Sequence, residues 1–203
     1  MFDAALRRLI DPPLNRAGLF FHRQGISANT ITVAGFFVGM GALPALALGR
    51  PDIALICILL NRLMDGLDGA IARQAGPTDI GGYLDIVLDF LFYGAVPFGF
   101  ALMMPEFALS AAFLIFSFIG TGSSFLAYAI VAEKRKITTD IRGLKSFYYL
   151  GGLTEGGETI AFFILLCLLP QHFNILAWVF GSLCWITTVT RIWAATVAFG
   201  AES

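Results

Sequence analysis

From residue 28 to residue 199 the chain is a succession of apolar runs, each closed by a short stretch rich in Gly, Pro or charge. Crossing the hydrocarbon of a bilayer takes about 20 residues at 1.5 Å each, and a span with its turn consumes about 25–30. A single soluble core cannot absorb that many such runs. Charged residues make up 13% of the 203 and hydrophobic ones 58%, against roughly a quarter charged in soluble domains. The 20 Phe and 22 Gly suit a polytopic all-α bundle, where Gly lets helices approach and lipid accepts apolar side chains on the outside.

The turn signals Gly49-Arg50-Pro51, Gly76-Pro77, Pro105-Glu106, the basic loop after Glu133 and Pro170 predict six transmembrane helices, near 28–49, 52–75, 80–104, 107–133, 146–169 and 172–199. Pro44 and Pro97 fall inside spans and are expected to kink them. Residues 1–27 form a separate N-terminal juxtamembrane segment that mixes Phe2, Leu6, Leu9, Leu14 and Phe20 with Arg7, Arg8, Arg16 and Arg23. That pattern predicts an amphipathic helix in the interface, broken at Pro12-Pro13. No apolar signal-peptide core precedes the first span, so an inserted protein is expected.

Lys and Arg fix the orientation. They gather in residues 1–27 and in the connection holding Lys134, Arg135, Lys136, Arg142 and Lys145, with Arg50 the one cation in an outer turn. By the positive-inside rule both termini and the connections after the second and fourth spans face the cytoplasm of a bacterial-type inner membrane. Cations placed this way call for headgroup contact, and no nucleic-acid partner is expected. Cys57, Cys167 and Cys184 are spaced for neither disulfides nor a thiolate metal site, and His22 and His172 are too isolated for zinc.

Six acids fall inside the spans: Asp65, Asp68, Asp85, Asp89, Glu155 and Glu158. At 100° per residue Asp65 and Asp68 lie about 60° apart on one helix, and Asp85 and Asp89 about 40° apart on the next, so each pair shares a face. The short turn at Gly76-Pro77 makes the two helices neighbours, and the four carboxylates can converge roughly 8–15 Å from the cytoplasmic helix ends. So many carboxylates cannot all stay ionised and unpaired in a low dielectric. Two divalent cations, Mg²⁺ or Mn²⁺, resolve the repulsion with all-oxygen ligation. Gly69 leaves room for a ligand beside the helix, and Arg73 stands one turn on, within reach of a phosphate. The competing readings are buried acid pairs or a cation-transport pathway.

The segment Asp65-x2-Asp68-Gly69-x2-Ala72-Arg73-x7-Gly81-x3-Asp85-x3-Asp89 resembles the signature of the CDP-alcohol phosphatidyltransferases, integral-membrane enzymes of phospholipid synthesis. The resemblance implies a phosphatidyl group passed from a CDP-alcohol such as CDP-diacylglycerol to the hydroxyl of a small alcohol, with CMP released. It implies two metals on Asp65, Asp68, Asp85 and Asp89, with Asp89 also the general base. Gly69 and Arg73 would contact the CDP-lipid, Arg73 near the pyrophosphate, and Thr78 matches a position near the phosphates. Ser27-Ala28-Asn29-Thr30-Ile31-Thr32 resembles the family's Pro-Asn-x-x-Thr nucleotide segment, with Ala28 replacing the proline; its alternative is that Ser27 or Asn29 caps a helix. Similar enzymes are commonly homodimers. Gly35-x3-Gly39 and the small residues Gly120, Gly122, Ser123 and Ser124 are candidates for that interface or for contacts within one chain.

The acceptor stays open at this stage. Glu155 and Glu158 share a face near Tyr148 and Tyr149, an arrangement that can receive an ammonium head group. Lys145, Arg142 and Arg191 can instead bind an acceptor phosphate. A third possibility pairs the glutamates with Arg62 or Arg191 as structural ion pairs. A cation transporter and a catalytically silent lipid-binding relative are the alternatives to the transferase.

Overall fold

The computed structural model describes residues 2–135 and 154–200, with side chains from residue 12 onward. No strand occurs among the described residues, and the helices are α1 (Phe2–Arg23), α2 (Ala28–Met40), α3 (Ala42–Ala47), α4 (Pro51–Ala75), α5 (Asp79–Met103), α6 (Ala108–Lys134), α7 (Gly156–Leu168) and α8 (Phe173–Gly200). Four stretches are long and apolar enough to cross a bilayer: Ala28–Ala47, Asp79–Met103, Pro105–Lys134 and Pro170–Gly200. α4 has the length, at 25 residues, but carries the charged motif. α7 is apolar but has 13 residues.

The chain divides after Met103 into two compact units. In the first, α4 is the hub: α1, α2 and α3 all pack on it, and α2 and α3 also pack on α5. α4 and α5 themselves share few close backbone approaches, so α2 bridges them and a gap stays open between the two aspartate-bearing helices. Gly76 makes the turn between them at φ 90°, a conformation that favours glycine, and Pro77 prevents the helix from resuming. The glycines of α2 give the α2–α4 approach its closeness. A methyl on Gly39 would stand 2.9 Å from the Asn61 side chain, and one on Gly35 would stand 3.0 Å from Met64 Cβ. These glycines therefore make contacts within the chain.

The N-terminal helix departs from expectation. α1 runs through Pro12-Pro13 without a break. Packing offsets the lost backbone bonds: Leu14 fills the space over Gly66, and Gly18 lies against the Ala70 backbone, where a Cβ would be 2.8 Å away. The first span, in contrast, is interrupted. α2 stops at Met40 because the ring of Pro44 would strike that carbonyl, four residues back, if one helix ran on. α5 continues through Pro97, which is buried.

In the second unit α6 and α8 form the main pair. Gly181 accommodates Phe113, and Gly120 lies against Thr188 and Trp185. Phe162 of α7 stacks on Phe180 of α8 with ring centroids 4.0 Å apart. Hydroxyls of Ser117, Thr121, Ser123, Ser124, Thr188 and Thr190 donate to carbonyls three or four residues earlier, which satisfies them without water. The fifth predicted span needs correction. Glu155 is extended, at φ −101° and ψ −177°, so α7 begins at Gly156 and no single helix covers 146–169.

Candidate active site

The gap between α4 and α5, floored by α2, is a small open cleft lined by Thr32, Gly35 and Phe36, by Asn61, Arg62, Asp65 and Asp68, and by Asp85, Leu88 and Asp89. Helical spacing turns the acids of both helices inward. One carboxylate oxygen from each of Asp65, Asp85 and Asp89 lies within 4.8 Å of the others. Asp68 lines the same cleft outside that set; it is only 8% exposed, and its Oδ2 has no hydrogen-bond partner. A buried carboxylate oxygen left this way is costly. Three converging carboxylates and a fourth with one unpartnered oxygen, all hard oxygen donors, fit divalent cations such as Mg²⁺ or Mn²⁺.

Arg62 dominates the contacts of this cleft. Its Nη2 donates to Asp89 Oδ1 at 2.6 Å, and its Nη1 reaches Asp65 Oδ2 at 3.4 Å. The Nε and Nη2 groups both donate to Asn61 Oδ1, and Asn61 Nδ2 donates to the Gly35 carbonyl at 3.0 Å. The guanidinium also sits 5.7 Å from the Phe92 ring centroid. On the other side, the Tyr93 hydroxyl donates to Asp89 Oδ2 at 3.3 Å. The pairing of Arg62 with Glu155 or Glu158 raised by the sequence is thus replaced by one with Asp65 and Asp89. Arg62 at i−3 from Asp65 was the available signal; Asn61 and Tyr93 gave none.

Of the residues expected to meet the CDP-lipid, Asn29, Thr32 and Thr78 lie at or near the starts of α2 and α5, and Gly69 and Arg73 lie toward the end of α4. Ser27 caps α2, its Oγ accepting from the Thr30 N–H at 3.2 Å. Asn29 is thereby free of the capping role, and its Oδ1 lies where a methyl on Gly81 would meet it at 3.0 Å, as would Thr78 Oγ1. Thr78 itself accepts from the Gly81 N–H at 3.1 Å. Thr32 lines the cleft and donates to the Ala28 carbonyl. Gly69 lies next to Arg73, whose Nη1 would be 3.4 Å from an added Cβ. Arg73 is exposed and donates from Nε and Nη2 to Asn15 Oδ1 on α1, at 3.3 and 3.0 Å. A partner 58 residues away left no trace in the sequence pattern.

Of the acceptor candidates, Lys145 and Tyr148 lie outside the described residues. Glu155 and Glu158 are exposed and form a reciprocal capping box at the start of α7, with the Glu155 N–H donating to Glu158 Oε2 at 3.3 Å. Arg191 is 9% exposed; its Nη1 donates to the Thr121 carbonyl, its guanidinium lies 5.6 Å from the Phe125 ring centroid, and its Nε has no partner. Among the described residues no ion pair joins Arg191 to either glutamate.

A model of the CDP-alcohol phosphatidyltransferase family matches residues 26–198. The chain is 55% identical over 195 residues to Inner membrane protein YnjF of Escherichia coli, covering 96% of this chain and 95% of that one. It is 28% identical over 192 residues to an archaetidylinositol phosphate synthase of Pyrococcus horikoshii, covering 94% of each. Its fold resembles the crystal structure of Mycobacterium tuberculosis phosphatidylinositol phosphate synthase with CDP-DAG bound, at a TM-score of 0.67 and 20% identity over 90% of this chain and 93% of that one.

Proposed function

The chain belongs to the CDP-alcohol phosphatidyltransferase family of membrane enzymes, and from that premise we propose how its own residues carry the transfer. The observation that carries the proposal is the cleft, with Asp65, Asp85 and Asp89 converging within 4.8 Å beside the orphaned Asp68 oxygen. Asp65, Asp68, Asp85 and Asp89 would hold two divalent cations, Mg²⁺ or Mn²⁺. Bound there, such ions supply electrostatic stabilisation of charge developing on the transferred phosphate.

The remaining steps belong to protein groups. Arg73 binds the pyrophosphate of a CDP-alcohol such as CDP-diacylglycerol, with Asn15 fixing its guanidinium plane. Gly69 leaves the helix surface open beside it, and Asn29, Thr32 and Thr78 orient the nucleotide end. Asp89, the catalytic residue, accepts the proton of the acceptor hydroxyl. The alcohol oxygen then bonds to the lipid-side phosphorus, the bond from that phosphorus to the bridging oxygen breaks, and CMP leaves with the electron pair.

For the acceptor, the same proposal favours a phosphorylated polyol over an amino alcohol. Glu155 and Glu158 are already committed to capping α7, whereas Arg191 keeps a buried donor unmet. The full-length relative named as an archaetidylinositol phosphate synthase supports this direction. Lys145 and Tyr148 complete the proposed acceptor set. A homodimer with a cytoplasmic site is part of the reading, and its interface lies away from Gly35, Gly39 and Gly120, which pack within their own chain.

The test is CMP release by the purified protein with Mn²⁺ or Mg²⁺, CDP-diacylglycerol and a panel of alcohols. Release with inositol phosphate or glycerol 3-phosphate, and none with choline, ethanolamine or serine, is the expected result. Release with an amino alcohol alone overturns the acceptor assignment. No release with any alcohol, joined by cation flux across liposomes, would favour the transporter reading.

A further inference from the structure

The cleft contains a cation of its own. Arg62 is the cation that ion-pairs with the cleft's carboxylates, and it does so at two of the three that converge, Asp89 at 2.6 Å and Asp65 at 3.4 Å. It is not a loosely placed surface group. Asn61 accepts from two of its nitrogens and is itself tied to the Gly35 carbonyl, and Phe92 covers one side of the guanidinium. The Asn61 side chain has no freedom to retreat, because α2 passes against it at Gly39. Arg62 is thus held at the cleft by the same helix contact that builds the cleft.

Its position conflicts with a second cation. Asp89 has Oδ1 taken by Arg62 Nη2, and Oδ2 taken by the Tyr93 hydroxyl at 3.3 Å and more distantly by Arg62 Nη1 at 3.5 Å. A divalent ion that ligates Asp89 must compete with that guanidinium for oxygen and for negative charge. Arg62 makes no ion pair with the cleft's other two carboxylates, Asp85 and Asp68, and Asp68 Oδ2 is buried and unpartnered.

We propose that Arg62 is a built-in counter-cation, a positioning residue that holds Asp89 and Asp65 together in the metal-free protein and is displaced from Asp89 when divalent cations enter. It follows that Arg62 weakens metal binding while stabilising the empty cleft. The opposite role, in which Arg62 pre-arranges ligands and strengthens metal binding, makes the reverse prediction. The proposal rests on the divalent-cation reading of the cleft, and the experiment separates the two.

Mn²⁺ binding to the purified full-length protein is measured by electron paramagnetic resonance without CDP-lipid, alongside thermal unfolding with and without Mn²⁺. Losing a unit of positive charge a few ångströms from the ion makes Arg62→Gln bind Mn²⁺ about tenfold or more tightly than the parent chain. Its metal-free unfolding temperature falls, and its Mn²⁺-induced rise exceeds the parent's. Arg62→Lys keeps the charge but loses the fork that spans two carboxylates, so its affinity lies between. If Arg62→Gln does not fold, Arg62→Lys carries the test: tighter binding than the parent supports the proposal, and equal or weaker binding overturns it. Equal or weaker binding by a folded Arg62→Gln overturns it likewise, with the metal reading intact. A parent chain that binds no Mn²⁺ overturns both.

Discussion

Asp89 has no idle oxygen: Oδ1 takes the Arg62 guanidinium and Oδ2 the Tyr93 hydroxyl. Each oxygen that accepts such a bond keeps lone-pair capacity for a proton, so both pairings are compatible with a general base, and replacing Asp89 separates chemistry from binding. Asp89→Asn is expected to lower CMP release by about two to four orders of magnitude while CDP-lipid is still retained in a binding assay; CMP release near the parent rate removes the base assignment. A second residue-level test is Gly39→Ala. The new methyl would meet Asn61 at 2.9 Å and push that side chain off the Gly35 carbonyl and Arg62, costing roughly 1–3 kcal/mol, read as a lower unfolding temperature. At this scale the sequence was informative about the acids and silent about what holds them. Spacing alone puts Asp65 with Asp68 and Asp85 with Asp89. Partner choice for Arg62 depends on where α5 presents Asp89, which no local pattern encodes.

The elements show the same division between local and distant information. Glu155-Gly156-Gly157-Glu158 lacks the Ser, Thr, Asp or Asn that usually opens a capping box, so the box found there is not announced by the residue pattern. Reading the two glutamates as a pair facing a cavity required a helix from 146, and the extended backbone at Glu155 removes it. If capping is their work, Glu155→Ala destabilises the protein by about 1 kcal/mol, seen as a small drop in unfolding temperature. Glu155→Gln, which retains an acceptor oxygen, is expected to unfold near the parent, and neither variant changes KM for the acceptor. α1 illustrates the opposite case, since Pro12-Pro13 argue locally for a break and packing on α4 prevails. Leu14 over Gly66 and Gly18 against Ala70 fix its register, and that register delivers Asn15 to Arg73. Gly18→Leu, whose side chain would run into the Ala70 backbone, should lift α1 off α4. Steady-state kinetics are expected to show KM for CDP-lipid rising several-fold with kcat changed less, as a group that binds without joining the chemistry requires. Asn15→Ala, which removes the hydrogen bond without a clash, should reproduce the direction of that change. A fall confined to kcat would mean that Arg73 is not positioned by α1.

For the whole molecule, the distribution of charge matters more than its total. The cations of residues 1–27 and of the connection after α6 predict which side faces the cytoplasm, and Arg50 is the exception. Arg50 donates to both oxygens of Asp52, at 2.9 and 2.7 Å, in an exposed pair at the start of α4. A single arginine in a short turn weighs less than the clusters of Lys and Arg elsewhere, so the expected orientation follows those clusters. The inference is tested by placing single cysteines at Glu106 and at Glu133 in a chain whose Cys57, Cys167 and Cys184 are replaced by alanine. In intact cells a membrane-impermeant maleimide should label the Glu106→Cys protein, and should label the Glu133→Cys protein only after the membrane is opened. The reverse pattern would place the Glu133 end of α6 outside and overturn the orientation expected from the cations.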